Sequence, residues 1–182
     1  QALKYAHSYG VKIYVTVNTL IFEDEVKNLI EYIRYLHQIG VDALIMQDIG
    51  MVDLVRKKFP NLEIHASTQM HIHNLEGVLF AKELGIKRVV LARETPIDLI
   101  RNIKEKTNME IEIFIHGALC VSYSGQCLMS SLIGGRSGNR GTCAQCCRQP
   151  YSLEVNDKIV DDGYLLSTKD LNTLDYVKEL IK

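Results

Sequence analysis

Gly40-Val41-Asp42-Ala43-Leu44-Ile45 and Gly85-Ile86-Lys87-Arg88-Val89-Val90 are two copies of one local event. In each, an amphipathic stretch ends at a glycine, a branched aliphatic residue anchors the turn, and a short apolar run follows. Working outward, the same rhythm recurs from end to end of the first 119 residues. Strands are expected at 12–17, 43–47, 63–66, 88–91 and 110–115, and helices at 24–38, 51–58, 74–84 and 96–106. Asp24 is the expected N-cap of the first of these helices and Asn74 of the third. Strict alternation of strand and helix implies parallel strands joined by right-handed crossovers.

Two architectures satisfy that pattern, a doubly wound sheet and a (β/α)₈ barrel. No glycine fingerprint for a dinucleotide supports the first. Polar residues sit after the expected strands: Asn18, Asp48, His65 with Gln69, Arg93 and His116. A barrel gathers those strand ends around one mouth, where such enzymes keep their chemistry. A complete barrel takes about 250 residues, so residues 1–119 are expected to form an incomplete TIM-type (β/α) barrel. The ends suggest an excerpt of a longer polypeptide: the chain opens without methionine on a helical pattern closing at Gly10 and stops inside another at 174–182.

Beyond residue 117 the rhythm breaks. Residues 120–151 are rich in Gly, Ser and Cys, and so long an irregular segment at a barrel mouth usually serves function. Residues 152–182 are expected to give a small hairpin, turning at Asn156-Asp157, and the start of the next helix of the same domain.

The composition is that of a folded globular chain: 182 residues, net charge −1, 24% charged and 47% hydrophobic. It excludes a disordered, collagenous or disulfide-stapled miniprotein. The near-zero charge gives no whole-surface field for nucleic acid or membrane, so any such contact is local. No apolar run approaches the roughly 20 residues that span a bilayer. A cytoplasmic protein without membrane contact is the expectation.

All five cysteines lie between positions 120 and 147, at 120, 127, 143, 146 and 147. Disulfides would need an oxidising compartment, and a single catalytic thiolate would leave four cysteines idle. A bound metal explains the cluster best, and thiolates favour zinc or an iron–sulfur cluster. Cys143 and Cys147 have the spacing of a zinc knuckle, whereas Cys120 and Cys127, with six residues between them, suit a cluster lodged in a loop. Iron–sulfur is preferred on spacing, with zinc as the alternative. Cys146 and Cys147 are adjacent and do not readily serve one centre together, which leaves the ligand set open at this point.

The run Glu112-Ile113-Phe114-Ile115-His116-Gly117-Ala118-Leu119-Cys120, continued by Gly125-Gln126-Cys127-Leu128-Met129-Ser130, resembles the signature of the collagenase-like peptidase family U-thirty-two. The segments 14–19, 65–70, 135–137 and 164–167 resemble the same family. The resemblance implies one of two activities. One is peptide-bond hydrolysis, as the family name records. The other is oxygen-independent hydroxylation of RNA, of the tRNA wobble-uridine type, with a [4Fe–4S] cluster and prephenate as oxygen donor. It implies Cys120, Cys127, Cys143 and Cys147 as the cluster ligands; Cys146 departs from the pattern, where proline is common. Association with a paralogous family member is implied as well.

Under the hydroxylase reading, His65, Gln69, Arg93 and His116 line the pocket as catalytic candidates. Arg93 can hold a small-molecule carboxylate through paired hydrogen bonds. Its bland alternative is an ion pair with Glu94 or Glu112, and that of His116 is a turn residue before Gly117. Asn18 and Asp48 are candidate substrate contacts or simple loop ties. Arg136, Arg140 and Arg148, interleaved with Tyr123 and Tyr151, can contact phosphate and stack on a base, or form a solvated surface. A peptidase acting on a peptide substrate would need a thiolate, a base and oxyanion donors, and the sequence shows neither a recognisable triad nor a helical His-Glu-x-x-His. His71 and His73 read as residues beside the Asn74 cap. A non-catalytic module stapled by its cysteines is the third reading.

Overall fold

The computed structural model describes residues 1–181. They form two compact units, residues 1–112 and residues 113–181.

The first unit runs α1 (Ala2–Ser8), β1 (Tyr14–Val17), α2 (Val26–Ile39), β2 (Ala43–Met46), α3 (Ile49–Lys58), β3 (Glu63–Ala66), α4 (Leu75–Glu83), β4 (Arg88–Val90), α5 (Ile97–Thr107) and β5 (Glu110–Glu112). All five strands are parallel and lie in the order β1-β2-β3-β4-β5. This order never reverses, so the sheet lacks the switch point of a doubly wound fold. Right-handed crossovers that all step the same way place their helices on one face. The alternation along the strands agrees. Leu44, Met46, Ile64, Ala66 and Val89 share one face and are buried, as are Leu29, Ile30, Ile33 and Leu36 of α2 and Val52 and Val55 of α3. The opposite face carries the row Thr16, Ile45, His65, Arg88 and Glu110, matched in register across all five strands.

The two repeated motifs are identical helix stops. Gly40 and Gly85 are left-handed, at φ 87° and 75°. The amides of Val41 and Ile86 reach back to Leu36 and Ala81, and those of the glycines to His37 and Lys82, the paired bonds of a Schellman motif. Val41 and Ile86 are buried anchors. The next amides, of Asp42 and Lys87, bond to Ile13 and Ile64 and start the strands. At Gly85 a Cβ would also meet the Arg56 guanidinium, a flexible side-chain end that can give way, so it is the positive φ that favours glycine there.

Asn74 caps α4, accepting the Gly77 N–H at 2.8 Å. Asp24 does not cap α2: residues Glu23–Glu25 form a 3₁₀ turn, which brings the Glu25 carboxylate rather than that of Asp24 to the Phe22 amide, at 2.8 Å. The fifth strand is shorter than 110–115. The last bond it makes to its neighbour joins the Leu91 amide to the Glu112 carbonyl. Ala92 then turns away to bond Ile72, so residues past Glu112 have no partner strand in this sheet.

Asp42 ties the first helix to the sheet through one oxygen, which accepts from the Ile13 amide at 2.7 Å and meets His7 Nε2 at 2.8 Å. Burial pushes its carboxyl up, but the Ile13 N–H and the His7 ring outweigh burial and hold it below its ordinary value. A carboxyl with a depressed folded pKa contributes stability that is complete above the unfolded value, about 3.9, and is lost as pH falls through the folded value. Asp42→Asn is expected to lower stability at neutral pH and flatten the acid limb below about pH 4 in urea titrations. An acid limb identical to wild type would show that the contact contributes nothing.

The second unit contains β6 (His116–Ala118), α6 (Met129–Gly134), the hairpin β7 (Tyr151–Val155) and β8 (Lys158–Gly163), β9 (Asp170–Asn172) and α7 (Val177–Leu180). Strand β6 pairs antiparallel with β9. The hairpin turns at Asn156 and Asp157, both at positive φ as a type I′ turn requires. Among its described residues only Ser124 and Ser130 are buried, so the unit holds no buried apolar side chain. No helix among the described residues is long and apolar enough to cross a membrane.

Candidate functional site

The cysteines all belong to the second unit, and all are free thiols. Cys120 follows β6, Cys127 precedes α6, Cys143 lies in the long connection after it, and Cys146 and Cys147 open a 3₁₀ turn at Cys146–Arg148. Cys143 is exposed and the others half-buried. In place of an apolar core, polar ties hold these segments. The buried Ser130 hydroxyl accepts the Ala144 amide at 2.8 Å, the Tyr151 hydroxyl donates to the Cys146 carbonyl at 2.9 Å, and Arg136 Nε donates to the Thr142 carbonyl at 3.0 Å. Gly138 lies against both middle cysteines: a Cβ there would stand 3.6 Å from Cys143 Cβ and 4.0 Å from the Cys127 carbonyl oxygen. Two non-glycine residues take left-handed backbone inside the loop, the buried Ser124 at φ 30° and Gln145 at φ 56°, a kind of local strain that clusters at functional sites.

Two sulfurs are already hydrogen-bonded as metal thiolates are. Cys127 Sγ accepts the Met129 amide at 3.4 Å and Cys143 Sγ the Gln145 amide at 3.3 Å, each from two residues downstream. Such N–H donors to sulfur help set the potential of iron–sulfur clusters. The donor chemistry therefore fits a thiolate-bound metal. No three His, Cys, Asp or Glu side chains among the described residues come close enough together to hold one ion in this conformation.

Of the arginines in this loop, Arg136 is exposed, Arg140 half-buried in the turn Gly138–Arg140, and Arg148 turned inward onto backbone carbonyls. Tyr123 is exposed in the turn Tyr123–Gly125. His116 is also exposed, but it does not end the fifth strand: that strand stops at Glu112, and His116 opens β6 opposite Asn172.

In the first unit, Asn18 follows β1 and its carbonyl accepts from Gln47 Nε2 at 2.8 Å. Both Asp48 oxygens are engaged, one capping α3 at the Met51 amide and the other taking the Ile21 amide, each at 3.1 Å. Gln69 is half-buried in a 3₁₀ turn, and Arg93 half-buried beyond β4. His65 is not a strand-end residue. It occupies the third position of β3, fully buried, with Nε2 on Glu63 Oε1 at 2.8 Å and its ring edge-on to Tyr14. Its Nδ1 is buried without a protein partner.

Glu112, with Glu94 one of two carboxylates expected as an ion-pair partner for Arg93, pairs with Arg88 at 3.4 Å, and Arg88 also holds Glu110 at 2.8 Å. The register explains the difference, since Arg88 and Glu110 are paired across neighbouring strands while Arg93 lies beyond the strand. The hydrogen bond from Arg88 holds the Glu110 carboxyl below its usual value. Burial works against the Arg88 guanidinium, but Glu110 reverses the balance and raises its pKa. Arg88, Glu110, Glu112, Glu63 and Tyr14 thus form a polar patch around His65 that the search for strand-end residues missed. The available signal was the alternation Glu110-Ile111-Glu112, which exposes two carboxylates on one face of a strand.

Comparison with known proteins agrees with the cysteine pattern. The 23S rRNA 5-hydroxycytidine C2501 synthase of Escherichia coli (strain K12) is 47% identical over 172 residues, covering 93% of this chain and 26% of that protein. The tRNA hydroxylation protein P1 of Bacillus subtilis (strain 168) is 38% identical over 190 residues, covering all of this chain and 45% of that protein. The chain therefore spans between a quarter and a half of the length of these relatives. A solved structure described as a U32 peptidase matches the fold with a TM-score of 0.55 at 14% identity, over 64% of this chain and 50% of that one. The model for Peptidase family U32 matches residues 1–182, from the first helix through every cysteine to the last residue. Cysteine pattern, relatives and whole-length match all lead to the same assignment: the chain belongs to peptidase family U32.

Proposed function

We propose that this chain is part of a cytoplasmic, iron–sulfur-dependent RNA hydroxylase of the tRNA-modifying type, and that its sheet is an arc of a TIM-type barrel. One observation carries the cluster: a unit with four thiols at the positions of the family pattern and two N–H···S bonds holds no buried apolar side chain among its described residues. A small unit without an apolar core needs a staple, and a metal is one of the few available. Cys120, Cys127, Cys143 and Cys147 would hold a [4Fe–4S] cluster, with zinc as the alternative occupant. When bound, the cluster supplies one-electron chemistry. The RNA reading is supported by the names of the two relatives, both of which modify RNA. The barrel is supported by the one-way strand order.

The remaining roles follow from chemistry. Arg93 is assigned to the carboxylate of prephenate, since a guanidinium binds carboxylate through two parallel hydrogen bonds. Arg136, Arg140 and Tyr123 are assigned to RNA, as charge for phosphate and a ring for stacking. Gln69, half-buried, and His116, exposed, are assigned to the substrate side, and His65, fully buried, to holding Glu63 on the sheet face.

The test uses the full-length protein purified without oxygen. It should be brown, with about four irons and four sulfides per chain, and deletion of its gene should remove a hydroxylated nucleoside from tRNA. Colourless protein that cleaves gelatin would instead favour a peptidase, and zinc in place of iron would favour a structural site.

A further inference from the structure

Arg148 joins two stretches of chain that are distant in sequence. One terminal nitrogen donates to the Ser167 hydroxyl at 2.7 Å and the Thr168 carbonyl at 2.6 Å, and the other to the Leu119 carbonyl at 2.8 Å. The Thr168 hydroxyl donates to that same Leu119 carbonyl at 2.7 Å. Leu119 immediately precedes Cys120, and Arg148 immediately follows Cys147. A guanidinium is a rigid planar fork, so donors engaged on both sides fix the separation of the backbones they join. The pairing of β6 with β9, Ala118 opposite Asp170, already holds Leu119 beside Thr168, so the part left to Arg148 is to fix the Cys147 end of the loop against both. The same three bonds turn the guanidinium inward, away from the role in contacting phosphate that the loop sequence suggested.

We infer that Arg148, assisted by Thr168, is a positioning residue that sets the spacing of Cys120 and Cys147 as two ligands of one soft metal. The inference rests on the thiolate-ligand reading above. Residues that orient metal ligands typically cost about 10- to 100-fold in affinity when replaced.

The experiment titrates metal-free, reduced full-length protein with cadmium ion and reads the thiolate-to-metal charge-transfer absorption, with far-UV circular dichroism recorded alongside. Arg148→Met is expected to weaken cadmium binding about 10-fold or more without loss of secondary structure. Arg148→Lys keeps the charge but loses the fork, and is expected to weaken binding to a similar degree. Thr168→Val leaves the arginine bonds in place and should cost only about 2- to 3-fold; it carries the test if Arg148→Met fails to fold. Wild-type affinity in either Arg148→Lys or a folded Arg148→Met overturns the positioning role. If wild-type protein itself gives no charge-transfer band, the thiolate-ligand reading fails and the inference falls with it.

Discussion

Replacing Cys127 with serine is expected to remove the iron of the proposed cluster and to loosen the whole second unit. Iron in anaerobically purified full-length protein should fall from about four per chain to below about one. The structural loss follows from how the unit is built. Its two buried residues are serines, and its segments are tied by single hydrogen bonds such as Ser130 to Ala144. Isolated hydrogen bonds contribute only about 1 kcal/mol each, whereas metal binding to a small domain is largely its folding free energy. Hydrogen exchange at β6 and β9 should therefore rise together with the loss of iron. Cys120→Ser, Cys143→Ser and Cys147→Ser should behave alike, and Cys146→Ser should keep its iron. Full iron in Cys127→Ser, or its loss in Cys146→Ser, would show that the ligand set has been chosen wrongly.

Leu44→Ala should strongly destabilise the first unit, by about 3–4 kcal/mol. Leu44 is fully buried in the middle of β2, on the face shared with Met46, Ile64 and Val89. Truncation there removes transferred apolar area and leaves a cavity that strands paired on both sides cannot close. Leu132→Ala, at a side chain 83% exposed, is the internal control and should cost almost nothing. Urea denaturation of the two variants separates the cases, and a loss below about 1 kcal/mol for Leu44→Ala would contradict the assignment of the buried face.

Much of the fold was legible because its signals are local. A helix that stops at glycine before a branched anchor is decided by φ and by the backbone bonds around it, and both copies, at Gly40 and Gly85, formed as the sequence implied. The Asn74 cap and the Asn156-Asp157 turn are equally local. Asp24 failed as a cap because the chain enters α2 through a 3₁₀ turn at Glu23–Glu25, so Asp24 lies inside a helical turn rather than at its extended N-terminal boundary.

The candidate site divides the same way. Clustering of the cysteines, their free-thiol chemistry and the family resemblance were properties of the sequence by itself, because residue type and spacing carry them. The partners of His65, Arg88 and Arg148 were not. Which carboxylate meets Arg88 depends on the register of β4 against β5, and the placement of His116 depends on where β5 loses its neighbour. Arg148 lies 29 residues from Leu119 and 20 from Thr168. Sequence determined the parallel strands, the helix stops and the clustering of the thiols, since these are carried by short-range preference and spacing. Tertiary structure alone decided which charges pair and which arginine clamps the cysteine loop, since those contacts exist only after strands distant in sequence have been brought into register.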